Sequence, residues 1–343
     1  MIAISGGGTG GHLAIARAFC KQLNLLDKKS IFIGSQNGQD KMWFENDENF
    51  SKCYFLPSSG VVNKRGLAKL ESLLNIIKLA FKCKEIFKQN KIKAVISVGG
   101  YSAAPASIAA ILCGIPLFIH EQNAVNGRLN SLLKPFAKGF YSSYATAPFC
   151  YPVDEKFFLL KRQRQELKTI LFLGGSQGAK AINELAINIA INLKNMGIKI
   201  IHQCGKNSFF ELKDRYEKLG LSSDDVKLFD FSQDIELKMH EADLCISRAG
   251  ASSLWEITAN ALPAIFIPFP HAASNHQFYN AKFLKDANLA EICLQNGPSV
   301  DSDKILKIIK EYDIAKTSKA LSGIINLEKT NEIINDIISK GKL

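Results

Sequence analysis

The chain has 343 residues, of which 47% are hydrophobic and 22% charged, an ordinary globular composition long enough for two domains of usual size. This excludes low complexity and disorder. The longest apolar run, near residues 103–119, is broken by Pro105, Gly114 and Pro116 and reads as helix, turn and strand, which excludes a membrane span there. The net charge of +11 is compatible with nucleic acid, an anionic membrane surface or an anionic substrate.

Ile2-Ala3-Ile4 predicts a short buried strand, Ser5 to His12 a glycine-rich turn, and Leu13 the start of an apolar helix. Strand, glycine turn and helix is how a parallel α/β sheet presents backbone N–H groups to a phosphate. Gly6, Gly8 and Gly11 satisfy G-x-G-x-x-G, a weak signal alone. The second strand, 30–33, runs into Gly34-Ser35 and supplies no acidic residue for a dinucleotide ribose, which counts against a nicotinamide dehydrogenase. No Lys-Ser/Thr pair ends the turn, which counts against an ATPase or GTPase. His12 is a candidate general base, since an unperturbed imidazole titrates near pH ~6.5. A helix-start histidine that only hydrogen-bonds the loop fits the same local pattern.

Residues 61–93 carry Lys64, Arg65, Lys69, Lys78, Lys82, Lys84, Lys88, Lys91 and Lys93 against only Glu71 and Glu85. Leu67, Leu70, Leu74, Ile77 and Phe81 recur there at helical spacing. Two readings stand: a basic amphipathic helix on anionic lipid, and a surface helix whose apolar face joins the core. Strands at 94–98 and 115–119 follow. Gly99-Gly100-Tyr101-Ser102 leaves the first, and His120-Glu121-Gln122-Asn123 puts four polar side chains at the end of the second, where such sheets bind ligands.

Pro148, Pro152 and the polar stretch Lys161 to Glu166 place a domain boundary around 148–168. Strands are predicted at 169–173, 198–202, 226–229, 243–247 and 264–267, and Gly174-Gly175-Ser176-Gln177-Gly178-Ala179 repeats the glycine turn after the first of them. Arg248 to Glu256 resembles a nucleotide site. Small residues leave room for a phosphate at a helix start, and a carboxylate one turn in can accept both ribose hydroxyls. Ser253 and Glu256 equally have the spacing of a capping box. Asn275-His276-Gln277 and Asn280 follow the 264–267 strand. Residues 95–119 and 244–267 echo one another as strand, ligand-ready loop, helix and strand. The reading is α/β, with two Rossmann-like parallel-sheet domains facing each other across a cleft. The first is 1–152, the second 153–327, and a helical tail, 328–343, packs back on the first. The eight cysteines form no C-x-x-C pair, so no metal site is expected. Reduced thiols, with no signal segment after Met1, point to the cytoplasm.

Taken together, the segments Gly7 to His12, Gly99-Gly100-Tyr101, His120 to Asn123, Gly174 to Ala179, Arg248 to Glu256, and Pro268-Phe269-Pro270-His271 through Gln277 resemble the MurG family in order and spacing to about residue 290. These are bacterial N-acetylglucosaminyltransferases of GT-B fold. The resemblance implies transfer of N-acetylglucosamine from UDP-N-acetylglucosamine to the C4 hydroxyl of lipid I, with inversion, forming lipid II of peptidoglycan. It implies a peripheral enzyme at the cytoplasmic face of the cell membrane, with UDP-N-acetylglucosamine, lipid I and an anionic membrane surface as partners, other cell-wall synthesis proteins as further ones, no nucleic acid, and neither cofactor nor metal.

By matching positions, the resemblance assigns the donor to Ser176, Ser232, Arg248, Ala251, Ser252, Ser253, Glu256 and Gln277, with Glu256 on the uridine ribose, Gln277 on sugar hydroxyls and Ser232 near the uracil. Thr9, Gly10, Gly11 and Asn123 would line the cleft from the first domain. It also gives both glycine turns a diphosphate to handle. His12 is the candidate base and Glu121 the alternative. The chain departs from the family at a shortened, proline-free turn after His12, at a bulkier Leu254-Trp255, and at Tyr151-Pro152-Val153-Asp154, where Asp154 replaces a donor-side arginine. Lys156 is the candidate substitute. The alternatives are another GT-B enzyme, namely a glycolipid glycosyltransferase or a UDP-N-acetylglucosamine epimerase, and a non-catalytic nucleotide-sugar-binding partner.

Overall fold

The computed structural model describes residues 1–60, 65–144, 150–175 and 178–343. The chain divides into two compact units, Met1–Val153 with Glu328–Leu343, and Asp154–Leu327.

The first unit holds strands β1 (Ile2–Gly6), β2 (Ser30–Ser35), β3 (Lys52–Leu56), β4 (Ala94–Gly99), β5 (Leu117–Glu121) and β6 (Gly139–Ser142). They form one sheet in the order β3-β2-β1-β4-β5-β6, with every pairing parallel. Its helices are α1 (Gly10–Leu25), α2 (Asp40–Phe44), α3 (Gly66–Gln89), α4 (Ala104–Leu112) and α5 (Arg128–Leu133). The second unit opens with α6 (Glu155–Leu159) and holds β7 (Thr169–Leu173), α7 (Lys180–Asn195), β8 (Lys199–Gln203), α8 (Phe209–Lys218), β9 (Val226–Phe229) and α9 (Ile235–Glu241). Then come β10 (Leu244–Ser247), α10 (Ala251–Ala259), β11 (Ala264–Phe266), α11 (His276–Asp286), β12 (Glu291–Ile292), α12 (Ser302–Glu311) and α13 (Ile314–Leu321). Its sheet, β12-β11-β10-β7-β8-β9, is again all parallel. Counted within each unit, both sheets have the doubly wound order 3-2-1-4-5-6. The strand order therefore reverses between β1 and β4 in one unit and between β7 and β10 in the other, and such sheets bind ligands at that reversal.

The edge strands β3, β6 and β12 escaped the sequence pattern. They are short and partly exposed, so they carry no continuous apolar run. Helix α1 starts at Gly10 rather than Leu13. The tail forms α14 (Leu327–Thr330) and α15 (Glu332–Gly341). Ile333, Ile334 and Ile337 of α15 are buried, and Tyr141 donates its hydroxyl to Asp336 Oδ2 at 2.7 Å, tying the tail to β6.

Helix α3 corrects one expectation. Its core face is Ile76, Leu79, Ala80, Cys83, Ile86 and Phe87. The periodic set Leu67, Leu70, Leu74, Ile77 and Phe81 lies outside, from 48% exposed at Ile77 to 78% at Leu67. The helix thus has a buried stripe and a second apolar stripe in solvent, with Lys69, Lys78, Lys82, Lys84 and Lys88 exposed alongside. Lys64 lies outside the described residues. Among the described residues no helix is long and apolar enough to cross a membrane.

The polar stretch 161–166 is not a solvated linker throughout. Arg164 is wholly buried. Its guanidinium donates to the carbonyls of Met239, Ala242 and Asn260, to Asn260 Oδ1 and to the Arg162 carbonyl.

Candidate active site

In the first unit the site stands at the carboxyl ends of β1, β4 and β5. The turn after β1 lies against the turn after β4. Gly100, at φ +78°, touches Gly7 so closely that a Cβ there would collide with the Gly7 carbonyl. Only glycine permits that approach. Thr9 is the N-cap residue of α1, but its hydroxyl does not cap the helix. It meets His12 Nδ1 at 2.9 Å instead. The other ring nitrogen, Nε2, lies 2.9 Å from the side-chain nitrogen of Gln122. A Cβ on Gly99 would come within 3.1 Å of that same Nε2, so the glycine makes room for the ring. Gly10 and Gly11 form the first turn of α1, whose N-terminal amides suit an anion.

The first glycine turn differs from the sequence reading in one respect. Asp40, on α2, is buried beneath it and accepts the Gly8 N–H through Oδ1 and the Ser35 N–H at 2.7 Å through Oδ2. Burial raises the Asp40 carboxyl above its ordinary value, against the pull of those amides. An internal carboxylate therefore occupies an amide that a bound phosphate would use. No motif marked Asp40, because its partners are 32 and 5 residues away in sequence.

The His-Glu-Gln-Asn segment does not present four side chains to a ligand. His120 points into the core, wholly buried and edge-on to Phe19 and Tyr151. Burial, with the His12 ring nearby, pushes its imidazole down to about 3, so it is neutral. Glu121 is also buried. It accepts from the Asn123 N–H at 3.0 Å, the Gly127 N–H at 2.8 Å and Asn130 Nδ2 at 2.8 Å, bracing the loop that carries Gln122 and Asn123. A carboxylate so occupied is a poorer general base than His12.

In the second unit the site stands at the ends of β7, β10 and β11. Ser176 and Gln177 lie outside the described residues. Arg248 donates Nη1 to the carbonyls of Ile267 at 3.1 Å and Pro268 at 3.3 Å, and lies over the Phe269 ring. Burial lowers its pKa. The Phe269 N–H donates to Gln277 Oε1 at 2.9 Å, and Asn280 Nδ2 to the Ala249 carbonyl at 3.1 Å. These bonds tie the loop before α10 to the loop before α11.

Helix α10 begins at Ala251 behind Gly250, and no side chain caps it. Ser253 is its third residue rather than its N-cap, so the capping-box reading of Ser253 and Glu256 fails. Ser252, Ser253 and Glu256 instead share one helix face and are all partly exposed. Glu256 keeps an exposed edge, yet burial pushes its carboxyl up to about 7, with Lys156 opposing and Asp154 and Glu236 adding to the rise. Asp154 is the N-cap of α6, accepting from the Lys156 N–H at 3.4 Å. Lys156 Nζ pairs with Glu236 Oε2 at 2.6 Å and donates to the Gln233 carbonyl at 3.2 Å. Ser232 accepts the Asp234 N–H at 3.1 Å in the same loop. The structure thus brings Asp154, Lys156, Glu236 and Glu256 together, of which the sequence singled out all but Glu236. Among the described residues, no group of His, Cys, Asp and Glu side chains is arranged to hold a metal ion.

Two helix starts without a side-chain cap, at the reversal points of two doubly wound sheets, one beside a histidine and one beside a half-buried carboxylate, fit a two-domain glycosyltransferase. The family comparison agrees: residues 2–142 match the glycosyltransferase family 28 N-terminal domain and residues 169–335 its C-terminal domain. A transferase of Campylobacter fetus subsp. fetus named for UDP-N-acetylglucosamine and N-acetylmuramyl-(pentapeptide) pyrophosphoryl-undecaprenol is 57% identical over 340 residues, covering 99% of this chain and 100% of that protein. Its namesake from Campylobacter hominis is 51% identical over 341 residues, covering 99% and 98%. The crystal structure of Acinetobacter baumannii MurG superposes with a TM-score of 0.78 at 30% identity, covering 99% of each chain. The chain belongs to the MurG family of N-acetylglucosamine transferases.

Proposed function

We propose that this chain transfers N-acetylglucosamine from UDP-N-acetylglucosamine to lipid I, the undecaprenyl-pyrophosphoryl N-acetylmuramyl-pentapeptide, giving lipid II for peptidoglycan. The observation that carries this reading is 57% identity along essentially the whole length of a transferase of that name. The two units divide the work. The second holds the donor: the open start of α10 faces the diphosphate, Glu256 accepts from the ribose hydroxyls, and the Ser232 loop borders the uracil. Gln277 and Arg248 shape the sugar side, Arg248 by fixing the 267–270 loop. Ala251, Ser252 and Ser253 form the helix turn that receives the phosphates, and the resemblance assigns Ser176 to the donor as well.

The first unit takes the acceptor. The C4 hydroxyl gives its proton to His12 Nε2 as its oxygen bonds to the anomeric carbon. The bond from that carbon to the UDP oxygen breaks, and its electron pair leaves with UDP. Attack from the face opposite the leaving group inverts the anomeric centre. Charge developing on UDP is met by helix N-terminal amides. Thr9, Gly10, Gly11 and Asn123 border the acceptor, and Glu121 holds the loop of Asn123 in place.

The exposed apolar stripe of α3, flanked by lysines, lies on the anionic lipid of the cytoplasmic leaflet, where the polyprenyl acceptor is found. The deciding experiment is transfer of labelled N-acetylglucosamine to a soluble lipid I analogue, with a no-acceptor control. Acceptor-dependent β-linked product is expected. UDP release or sugar epimerisation without that product would overturn the acceptor assignment.

A further inference from the structure

Gln122 is 8% exposed and lies against the histidine read above as the base. A neutral imidazole has one donor and one acceptor nitrogen. The side-chain nitrogen of Gln122 can only donate, so the His12 Nε2 that it meets is the acceptor. The ring proton then sits on Nδ1, where the Thr9 hydroxyl oxygen receives it at 2.9 Å. The pair of contacts thus selects one tautomer, the one whose basic lone pair is on Nε2. The amide oxygen of Gln122, by contrast, is buried without a hydrogen-bond partner among the described residues. A buried acceptor left unpaired is costly, and it is the group an imidazolium would need. Once Nε2 carries a proton it can no longer accept from the amide nitrogen. A half-turn of the amide, which exchanges two groups of nearly equal size, brings the oxygen to it.

We propose that Gln122 is the positioning residue for His12: its amide nitrogen holds the neutral Nδ1–H tautomer until the acceptor hydroxyl displaces it from Nε2, and after transfer its amide oxygen accepts a hydrogen bond from the Nε2–H. The inference rests on the reading of His12 as the base. Among the described residues, ionisable groups at this end of the sheet include His120 and Glu121 on β5, Asp40 beneath the first glycine turn and Tyr101 against Gly8. His120 is neutral, and Glu121 and Asp40 are occupied by the amide donors described above.

The test uses the full chain labelled with nitrogen-15 histidine, with the His12 signals assigned by their loss in His12→Gln. Gln122→Glu places a carboxylate against Nε2 and stabilises the imidazolium. The His12 titration midpoint should rise by about one pH unit or more, and the acid limb of kcat/KM should move up with it. Gln122→Leu keeps the bulk and removes the donor. The shifts of the two ring nitrogens should converge as the tautomer preference is lost, and kcat should fall about tenfold with the KM for donor unchanged. Thermal melts check that both variants fold. Unchanged His12 shifts and midpoint in both folded variants would overturn the proposal. A moved midpoint with an unmoved acid limb would remove His12 as the base while leaving the hold of Gln122 on the ring intact.

Discussion

Lys156 closes an ion pair with Glu236, Nζ to Oε2 at 2.6 Å, and both act on the ionisation of Glu256. The pair arises because Asp154 starts α6 as its N-cap, which sets Lys156 on the first turn and aims it at the start of α9. The chain thus builds a lysine–carboxylate pair beside Glu256, the proposed ribose-binding residue.

The proposed ribose role of Glu256 makes donor binding depend on pH. Its carboxyl is pushed up to about 7, so below that pH it is largely protonated and accepts poorly from ribose hydroxyls. UDP affinity should therefore rise as pH rises through about 7, with proton release on binding, measurable by calorimetry in buffers of different ionisation heat. The stability effect has the opposite sign. The folded state keeps a proton that the unfolded chain has lost, so stability falls as pH climbs from the ordinary carboxylate range through about 7. Glu256→Gln should flatten that slope and weaken UDP binding about tenfold. A variant that unfolds with unchanged UDP affinity would return Glu256 to a structural role.

His12→Ala removes the proposed base without touching the second unit. We expect kcat to fall by about 10²–10⁴-fold with the UDP dissociation constant unchanged. Near-normal turnover in a lipid I analogue assay would reassign the base.

Asp40→Asn tests the internal carboxylate beneath the first glycine turn. Asparagine has one acceptor where Asp40 uses two, so either Gly8 or Ser35 loses its partner. A stability loss of about 1–3 kcal/mol by urea denaturation and a fall in kcat are expected, with UDP binding intact.

The exposed stripe of α3 should dock on lipid. Reversing Lys78, Lys82 and Lys84 to glutamate should cut binding to anionic vesicles by at least about 100-fold, at roughly 1 kcal/mol per lysine removed from the surface. The melting temperature should hold, because these side chains are exposed. Sedimentation with phosphatidylglycerol vesicles that is indifferent to the substitutions would remove the membrane reading.

Arg164→Met should cost on the order of 3–5 kcal/mol, since it strands buried carbonyls of Met239, Ala242 and Asn260. The denaturation midpoint is the measurement. Arg162→Met, at a partly exposed position with one ion pair to Asp243, should cost less.

Much of this was legible in the chain itself. Central strands are short apolar runs, glycine turns announce themselves, and a motif such as Arg248 to Glu256 keeps its chemistry within nine consecutive residues. Sequence by itself therefore determined the α/β class, two nucleotide-fold units and the resemblance. Tertiary structure alone decided which apolar stripe of α3 is buried, because helical period marks two stripes and only packing chooses between them. It decided that His120 faces the core and Gln122 meets His12, because β5 ends at Glu121 and the alternation that sets His120 no longer governs Gln122. It also decided the partners of Asp40, Arg164 and Gln122. Their hydrogen bonds reach up to 32, 154 and 110 residues along the chain, and no local pattern records a contact that only folding makes.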